Sequence, residues 1–397
     1  MSLAIGLFVT ATGFIVYVLL LYPALLAVWA RFLAKPILKA PLRDKAVTFV
    51  IPVRNGARWI SGKLQSLEAL DYPLELIDVF VLSDGSTDET NALVRGYSGK
   101  LRVRLFELSG GGKSAALNRG LAEVKTELVV LTDVRQEFDR AALAHLVSCF
   151  ADPGVGVVTG ELVIRDGVTA EEINTGLYWK YEKWIRRNLN RIDAMLGATG
   201  AIYAIRRELT SPIPPETLLD DVYLPLAAAL KGYRVYFECD AKAYDFPTNL
   251  RSEFRRKVRT QAGVYQILGQ LPRLLWPGNR RFIHFLSHKV GRLVLPFAML
   301  AVVISSFFLP APWRALALTG QGLFYAAAAI DPYVPEGLAL KRISGVSRTF
   351  VVLVAAALCA VSIFFVPAQW LWKDARASVP PRGSMVAPNG TTGSRPG

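Results

Sequence analysis

Cysteine, histidine and charged side chains are all scarce in this chain of 397 residues. Three cysteines and three histidines are too few and too scattered for a disulfide framework or a zinc site, and they argue against histidine-based triad chemistry. Charged residues make up only 20% of the chain and apolar residues 52%. This composition excludes a disordered chain and is too apolar for an ordinary soluble enzyme.

Acidic residues are outnumbered, which leaves a formal net charge of +14. Nucleic acid, anionic lipid and phosphorylated substrates are all compatible with such a balance. Much of the excess lies in residues 251–292, where ten basic residues face a single acid and are interleaved with aromatic and aliphatic side chains. Next to long apolar runs, this pattern favours amphipathic helices in the headgroup layer of a bilayer over nucleic-acid binding.

Long uncharged runs frame the chain. Residues 2–30 carry no charge, which is enough to cross a bilayer, and the run is too long and lacks the basic start of a signal peptide. Basic residues follow it and predict that this side is cytoplasmic. Further runs at 293–313, 315–330 and 349–372 predict about four transmembrane helices with the C-terminus outside, although the short middle run also fits a re-entrant or interfacial segment.

Between these runs, short β-branched stretches alternate with helical patterns, which predicts an α/β domain with a largely parallel sheet. The expected strands are 47–52, 77–83, 101–106, 127–132, 155–164 and 233–238. The expected helices are 58–70, 87–97, 113–124, 139–150, 170–191 and 215–231. The predicted layout is a transmembrane helix at 1–33, the α/β domain at 45–247, basic interface helices at 248–292, three transmembrane segments at 293–373 and a disordered tail at 374–397.

Polar residues follow the predicted strands, where open α/β sheets bind ligands. Strand one leads into Pro52 and Asn55, and strand two ends in Ser83-Asp84-Gly85-Ser86-Thr87-Asp88, which fits either hydroxyl recognition or a turn with a helix cap. The loop 109–114, SGGGKS, is either a phosphate cradle or a flexible loop. It is not a Walker A loop, because Glu107 stands where glycine is required.

Four later motifs each allow a chemical and a structural interpretation. Asp133-Val134-Arg135 offers one carboxylate to Mg²⁺ or Mn²⁺, or an ordinary ion-pair partner. Gly197-Ala198-Thr199-Gly200-Ala201 allows close approach of a ligand or tight packing. The adjacent acids Asp220 and Asp221 fit a general base beside a helix cap. Arg256-Lys257-Val258-Arg259-Thr260 offers donors to a pyrophosphate or a basic surface to lipid.

Taken in order, these motifs over residues 47–260 resemble the family 2 glycosyltransferases, a GT-A-fold, membrane-embedded group that includes the cellulose, chitin and hyaluronan synthases. The resemblance implies a GT-A (Rossmann-like) cytoplasmic domain plus the transmembrane helices. It implies that Asp84 holds the nucleotide base, Asp133 the nucleotide and metal, and Asp221 the proton of the acceptor, with Asp220 beside it. The cofactor would be Mg²⁺ or Mn²⁺.

These motifs define the candidate site residues. The catalytic candidates are Asp221 and Asp220. The donor-binding candidates are Pro52, Asn55, Asp84, Lys113, Asp133, Arg256 and Arg259. The acceptor-binding candidates are Gly197, Ala198, Thr199 and Gly200, and the metal candidate is Asp133.

Two motifs depart from the family pattern. The second acid of DxD is replaced by Arg135, so metal binding would depend on Asp133 alone, with Arg135 able to neutralise some charge. QxxRW has become Arg256-Lys257-Val258-Arg259-Thr260, in which Arg259 is kept. The family's tryptophan contacts the acceptor, so Thr260 in its place weakens the expectation of processive synthesis.

The predicted function is an inverting, membrane-bound glycosyltransferase that moves a sugar from a nucleotide diphosphate-sugar, with uridine the expected base, to a growing polysaccharide, with possible coupling to export. One alternative is transfer of a single sugar to a lipid acceptor at the membrane surface. A second is a membrane protein that binds nucleotide sugars without catalysis. The protein is expected to be a multi-pass protein of the cell membrane that interacts with the lipid bilayer and does not bind nucleic acid. An export partner and the oligomeric state stay open.

Overall fold

The computed structural model describes residues 2–164, 170–246, 250–335 and 338–371, apart from the side chains of 170–177. The predicted disordered tail at 374–397 lies outside the described residues. The strands are β1 Val47–Val53, β2 Ile77–Asp84, β3 Arg102–Leu108, β4 Leu128–Leu131, β5 Glu137–Phe138, β6 Val155–Ile164, β7 Tyr203–Arg206 and β8 Arg234–Asp245.

Helices lie between the strands and at both ends of the chain. Those of the α/β domain are α2 Ala57–Glu68, α3 Thr90–Arg95, α4 Lys113–Glu123, α5 Ala142–Ser148, α6 Ala170–Arg191 and α7 Asp220–Leu230. The others are α1 Ser2–Phe32, α8 Leu250–Gln270, α9 Phe282–Ser306, α10 Trp313–Ile330 and α11 Ala339–Phe364.

The strands form one mixed sheet in the order β3-β2-β1-β4-β7-β6-β8-β5. The first four are parallel, whereas β7 runs antiparallel to both β4 and β6. All six predicted strands are present, β6 with the predicted bounds and the other five with shifted ends. The strands β5 and β7 were missed because both are short. The sheet is therefore mixed: the first four strands are parallel as predicted, and in the second half only β6 and β8 form a parallel pair among the described strands.

Both faces of the sheet are covered, which explains why β1, β2 and β4 read as continuous apolar runs. In β1, Val50 packs into one core and Phe49 and Ile51 into the other, and all three are fully buried. The core that contains Val50 also includes Leu26 of α1 and Phe285 of α9. Hydrophobic packing thus continues from the sheet into the terminal helices without a break.

Three helices of the described chain are long and apolar enough to cross a membrane: α1, α9 and α11. Helices α1 and α9 are antiparallel, since Tyr22 contacts His284 and Tyr17 hydrogen-bonds Ser287 at 2.7 Å. Helix α9 begins at Phe282, within the segment expected to form interface helices. Helix α10 is not among the three, so the described residues support three candidate spans, where about four were predicted.

The end of α11 lies against the α/β domain. Phe364 packs edge-on against Tyr265 at 5.1 Å between ring centroids, and Gln369 Nε2 donates to Glu216 Oε1 at 2.8 Å. Residue 369 is therefore on the same side as the α/β domain. This contact favours a topology in which α11 returns to the side of the α/β domain, whereas the sequence predicted that the chain ends on the opposite side.

Candidate active site

The carboxyl ends of β1, β2 and β4 meet at one edge of the sheet, where they place the first polar groups. The Asn55 side chain accepts the Thr87 backbone N–H at 2.8 Å, which ties the loop after β1 to the loop after β2. Asp84 ends β2 and accepts the Gly112 N–H at 3.1 Å. Its second oxygen is buried and has no hydrogen-bond partner among the described residues, so it is available to a ligand donor.

Lys113 joins two of the predicted acids. Its ammonium lies 3.1 Å from Asp133 Oδ1 and 2.9 Å from Asp220 Oδ1. Although burial lowers the pKa of Lys113, the carboxylates of Asp133, Asp220 and Asp221 raise it above its ordinary value. Lys113 therefore stays positively charged, and the glycine-rich loop delivers a fixed cation to the site.

Gly200 lies between the two acids expected to do most of the chemistry. A Cβ at this position would stand 3.4 Å from both Asp133 Oδ2 and Asp221 Oδ2. The Gly200 N–H donates to Asp221 Oδ2 at 2.8 Å, and the Ala198 N–H donates to the Asp221 carbonyl at 2.7 Å. The segment 197–200 thus holds Asp221 in place and leaves the space between the carboxylates open.

The two carboxylates differ electrostatically. Burial raises the pKa of Asp221, and the neighbouring Asp220 charge adds to this, so that the pKa reaches about 6. Burial also acts to raise the pKa of Asp133, but Lys113, Arg259 and Arg135 outweigh it and leave that pKa below its ordinary value. Such a separation suits Asp221 to accept a proton near neutral pH and Asp133 to remain a permanent anion.

Arg135, which replaces the second acid of the DxD motif, forms an ion pair with an acid from another strand. The Arg135 guanidinium pairs with the Asp245 carboxylate, which also accepts the Gln136 Nε2–H at 2.8 Å. Asp245 ends β8 and is buried. Arg135 therefore meets a carboxylate from another strand, and most of its charge is already compensated.

Helix α8 carries the two arginines of the RKVRT motif to the same cavity. Arg256 pairs with Glu253 at 2.6 Å and lies over the Trp179 ring at 4.5 Å from its centroid. Arg259 lies within electrostatic reach of Asp133 and Asp221. The Thr260 hydroxyl donates to the Arg256 carbonyl at 2.8 Å within the helix. Position 260 therefore has no aromatic side chain.

All thirteen predicted site residues line one cavity of about 910 Å³. The same cavity is lined by side chains that were not expected, namely Trp59, Tyr178, Trp179, Glu182, Arg186, Asp245, Lys289 and Arg292. Tyr178, Glu182 and Arg186 follow a four-residue spacing on the predicted helix, a signal that could have shown a shared face. Lys289 and Arg292 were assigned to a lipid-facing surface, because sequence does not show which face of a basic helix is inward.

Lys63 is a further missed residue. It is fully buried beneath the loop that carries Asp133 and donates to Thr132 Oγ1 at 2.8 Å and to the Gln136 carbonyl at 2.6 Å. Burial lowers the pKa of Lys63 to about 7. Its two hydrogen bonds bracket residues 133–135, so Lys63 helps to hold Asp133 in position.

The donor set around Asp133 fits a divalent cation of the Mg²⁺ or Mn²⁺ type. One oxygen of Asp133 is bound by Lys113, and the other faces the open space beside Gly200. A hard cation held by one carboxylate takes its other ligands from phosphate oxygens and water. The residues present therefore fit such an ion only together with a phosphorylated substrate.

Comparisons with known proteins agree with this geometry. Residues 48–212 match the family model "Glycosyl transferase family 2". The fold is similar to that of the mannosyltransferase PcManGT from Pyrobaculum calidifontis, solved in complex with GDP-Man and Mn²⁺. The TM-score is 0.70 at 25% identity, over 92% of this chain and 98% of that one.

Two curated relatives show the same similarity in sequence. The beta-monoglucosyldiacylglycerol synthase of Synechocystis is 30% identical over 132 residues, which cover 32% of this chain and 27% of that protein. The probable glycosyltransferase YdaM of Bacillus subtilis is 25% identical over 251 residues, or 60% of each chain. The chain thus spans between about a quarter and three fifths of the length of these relatives. Together with the fold and the acidic cavity, these matches identify residues 48–212 as a glycosyltransferase family 2 domain.

Proposed function

We propose that this protein transfers a sugar, with inversion, from a nucleotide diphosphate-sugar to a hydroxyl group of a lipid at the membrane surface. The observation that carries the proposal is the single cavity shared by Asp84, Asp133, Asp221 and Arg259, whose wall is completed by the apolar helix α9. Binding of the donor alone would not require a carboxylate with a raised pKa beside the open space at Gly200. A non-catalytic protein is therefore the weaker interpretation.

Asp221 is the proposed general base. An acceptor hydroxyl is a poor nucleophile, and a carboxylate that removes its proton during attack contributes about 10²–10⁴-fold to the rate. The Gly200 N–H orients one carboxylate oxygen. The proton moves from the acceptor oxygen to Asp221 as that oxygen bonds to the anomeric carbon, and the bond from that carbon to the diphosphate breaks.

Cations are placed where the leaving diphosphate gains charge. Lys113 contacts Asp133, and Arg259 lies within electrostatic reach of the same acid. Fixed positive groups at this point stabilise the transition state more than the bound donor. A divalent ion bound with the diphosphate at Asp133 would supply further Lewis-acid stabilisation.

The nucleotide base is proposed to bind at Asp84, which lines the cavity and has one carboxylate oxygen without a hydrogen-bond partner among the described residues. Uridine was the expected base from the family resemblance. The neighbour PcManGT holds a guanosine donor, so both nucleotides belong in a donor screen.

Two observations favour a lipid over a polysaccharide as acceptor. His288, Lys289 and Arg292 of the apolar helix α9 line the cavity, so the site is continuous with a candidate membrane span. One relative is named beta-monoglucosyldiacylglycerol synthase, a name that refers to a glycolipid product. The catalytic domain is proposed to face the cytoplasm, since basic residues follow α1.

Extension of a glycan is the second candidate. Trp59, Tyr178 and Trp179 line the cavity, and aromatic faces are suitable platforms for sugar rings. The replacement of the family's tryptophan by Thr260 counts against long processive chains.

The deciding experiment is a donor screen on membranes that contain the full chain, with labelled uridine and guanosine diphosphate-sugars and mass analysis of products. The proposal expects a lipid that carries one added sugar, with Mg²⁺ or Mn²⁺ present, and no such product from Asp221→Asn membranes. A ladder of long glycans would favour the second candidate. Absence of transfer with every donor, despite measurable nucleotide binding, would support a non-catalytic role.

A further inference from the structure

The cavity extends beyond Asp221 into a region rich in cations, which we call the basic pocket. It is formed by Glu182 and Arg186 of α6, Lys257 of α8, and Lys289 and Arg292 of α9. Four cations thus face a single carboxylate. Three helices contribute to the pocket, so its charge arises from tertiary structure and not from one basic segment.

The one acid of the basic pocket is already engaged. Glu182 pairs with Arg292, and its other oxygen lies 3.9 Å from His288 Nε2. Arg186 lies over the Phe237 ring at 5.6 Å, and Lys257 donates to the Tyr178 hydroxyl. Among the described residues, no ion pair within 4.0 Å involves Arg186, Lys257 or Lys289, so three cations of the pocket have no carboxylate of their own.

Unpaired cations in a partly buried site are unfavourable unless an anion joins them. Burial lowers the pKa of Lys257 to about 8 and also lowers the pKa of Arg186. By contrast, the adjacent Lys183 and Arg187 both pair with Glu161. Helix α6 therefore carries two cations paired with a carboxylate, Lys183 and Arg187, on either side of Arg186, which has no ion pair among the described residues. The unpaired positive charge of this helix segment lies in the basic pocket.

The basic pocket lies in the same cavity as the proposed base. Asp221 is within electrostatic reach of Arg186 and Lys289. The carboxylate of Asp133 interacts electrostatically with Lys113, Arg259 and Arg135. Asp221 therefore lies within electrostatic reach of the basic pocket as well as of Lys113 and Arg259. The donor diphosphate is proposed to bind at Asp133, which leaves the basic pocket to another anion.

The basic pocket also lies at the membrane. Lys289 and Arg292 belong to the candidate span Phe282–Ser306, and ionisable residues within such a span mark functional sites. Leu286, Val294 and Phe297 of the same helix expose apolar surface. A ligand that combines an anionic head with acyl chains would satisfy both features at once.

We propose that the basic pocket binds the phosphate of a phospholipid acceptor and so presents a hydroxyl of its headgroup to Asp221. This inference rests on the proposed function and narrows its acceptor class from lipids in general to phosphate-bearing lipids. In the transfer, the headgroup oxygen bonds to the anomeric carbon, its proton passes to Asp221, and the nucleoside diphosphate leaves with the electron pair of the broken bond.

Binding is measured first, because it does not depend on catalysis. The detergent-solubilised full chain is titrated calorimetrically with a short-chain phosphatidylglycerol, with the matching diacylglycerol and with inorganic phosphate. We expect the phosphatidylglycerol to bind most tightly, and Arg186→Gln or Lys289→Gln to weaken it at least tenfold. Arg186→Lys should retain most of the affinity. The matched control is Arg187→Gln, which removes the neighbouring, already paired and exposed cation and should change nothing.

Three results would overturn the inference. Equal binding of diacylglycerol would show that the phosphate is not recognised, and equal binding of inorganic phosphate would show a small-anion site without lipid selectivity. A loss of nucleotide diphosphate affinity in Arg186→Gln, as large as the loss for the lipid, would place the pocket in the donor site. Thermal unfolding of each variant distinguishes misfolding from loss of binding. The binding measurements do not require turnover, so they remain interpretable if the donor screen detects no transfer.

Discussion

At the scale of single residues, the site depends on two carboxylates that share one space but differ in charge state. Asp133 lies against Lys113, whereas Asp221 lies against Asp220 and is held by the Gly200 N–H. The same side-chain type can therefore serve as an anchor for cations in one place and as a base in the other, because the neighbours set the pKa.

Asp221→Asn tests the base directly. The amide has nearly the shape of the carboxylate but cannot accept the acceptor's proton, so we expect kcat to fall by about 10²–10⁴-fold while nucleotide diphosphate affinity stays within about twofold. Single-turnover transfer assays and donor titrations measure the two quantities. Transfer at the parent rate would reject Asp221 as the base.

The pH dependence follows from the raised pKa of Asp221. The base works only when deprotonated, so kcat/KM should fall as the pH drops through about 6, well above the ordinary range of an aspartate. The acidic limb is measured from rate profiles between pH 5 and 8, at saturating metal. A limb near pH 4 would show that burial and Asp220 do not raise this pKa in the working enzyme.

At the scale of elements, the loop 197–200 lies between the end of β4, which is followed by Asp133, and the start of α7, which carries Asp221. Gly200→Ala introduces a methyl group 3.4 Å from the carboxylate oxygens of Asp133 and Asp221. The protein should fold normally, but displaced ligands should lower kcat/KM by about 10²-fold, as misplacement of about 1 Å does elsewhere.

The matched control is Gly269→Ala in α8, since a Cβ there would meet no atom within 4 Å. Steady-state kinetics and thermal unfolding of both variants provide the comparison. Full activity of Gly200→Ala would mean that the substrates do not use the space between these carboxylates.

At the scale of the whole molecule, α1 and α9 pack against each other as an antiparallel pair. The segment that follows α11 contacts the α/β domain. In a chain without its three native cysteines, Phe308→Cys should react with an impermeant maleimide from outside intact cells. Phe365→Cys should react only after the cells are opened. Both native side chains are largely exposed, so access depends on the side of the membrane.

The four-span topology expected from sequence makes the opposite prediction for the second position. Labelling of Phe365→Cys from outside would restore that topology and would contradict the Gln369–Glu216 contact. Labelling of both positions from inside alone would show that α9 does not cross the bilayer.

Local patterns in the sequence were enough to predict several features of the protein. Apolar runs predicted α1 and α9, β-branched runs predicted six strands, and polar residues after those strands predicted the site acids, because periodicity and strand ends are encoded within a few neighbouring residues. Their order along the chain was sufficient to indicate the glycosyltransferase family 2 domain.

The contacts between distant groups, by contrast, could be read from the folded chain alone. The short antiparallel strand β7, the pairing of Arg135 with Asp245, and the inward face of α8 and α9 all depend on contacts between residues far apart in sequence. Burial and neighbouring charge, and not residue type, make the pKa of Asp221 differ from that of Asp133. Packing also leaves three of the four cations of the basic pocket without an ion pair among the described residues. Such properties are set by packing in three dimensions, which no local pattern contains.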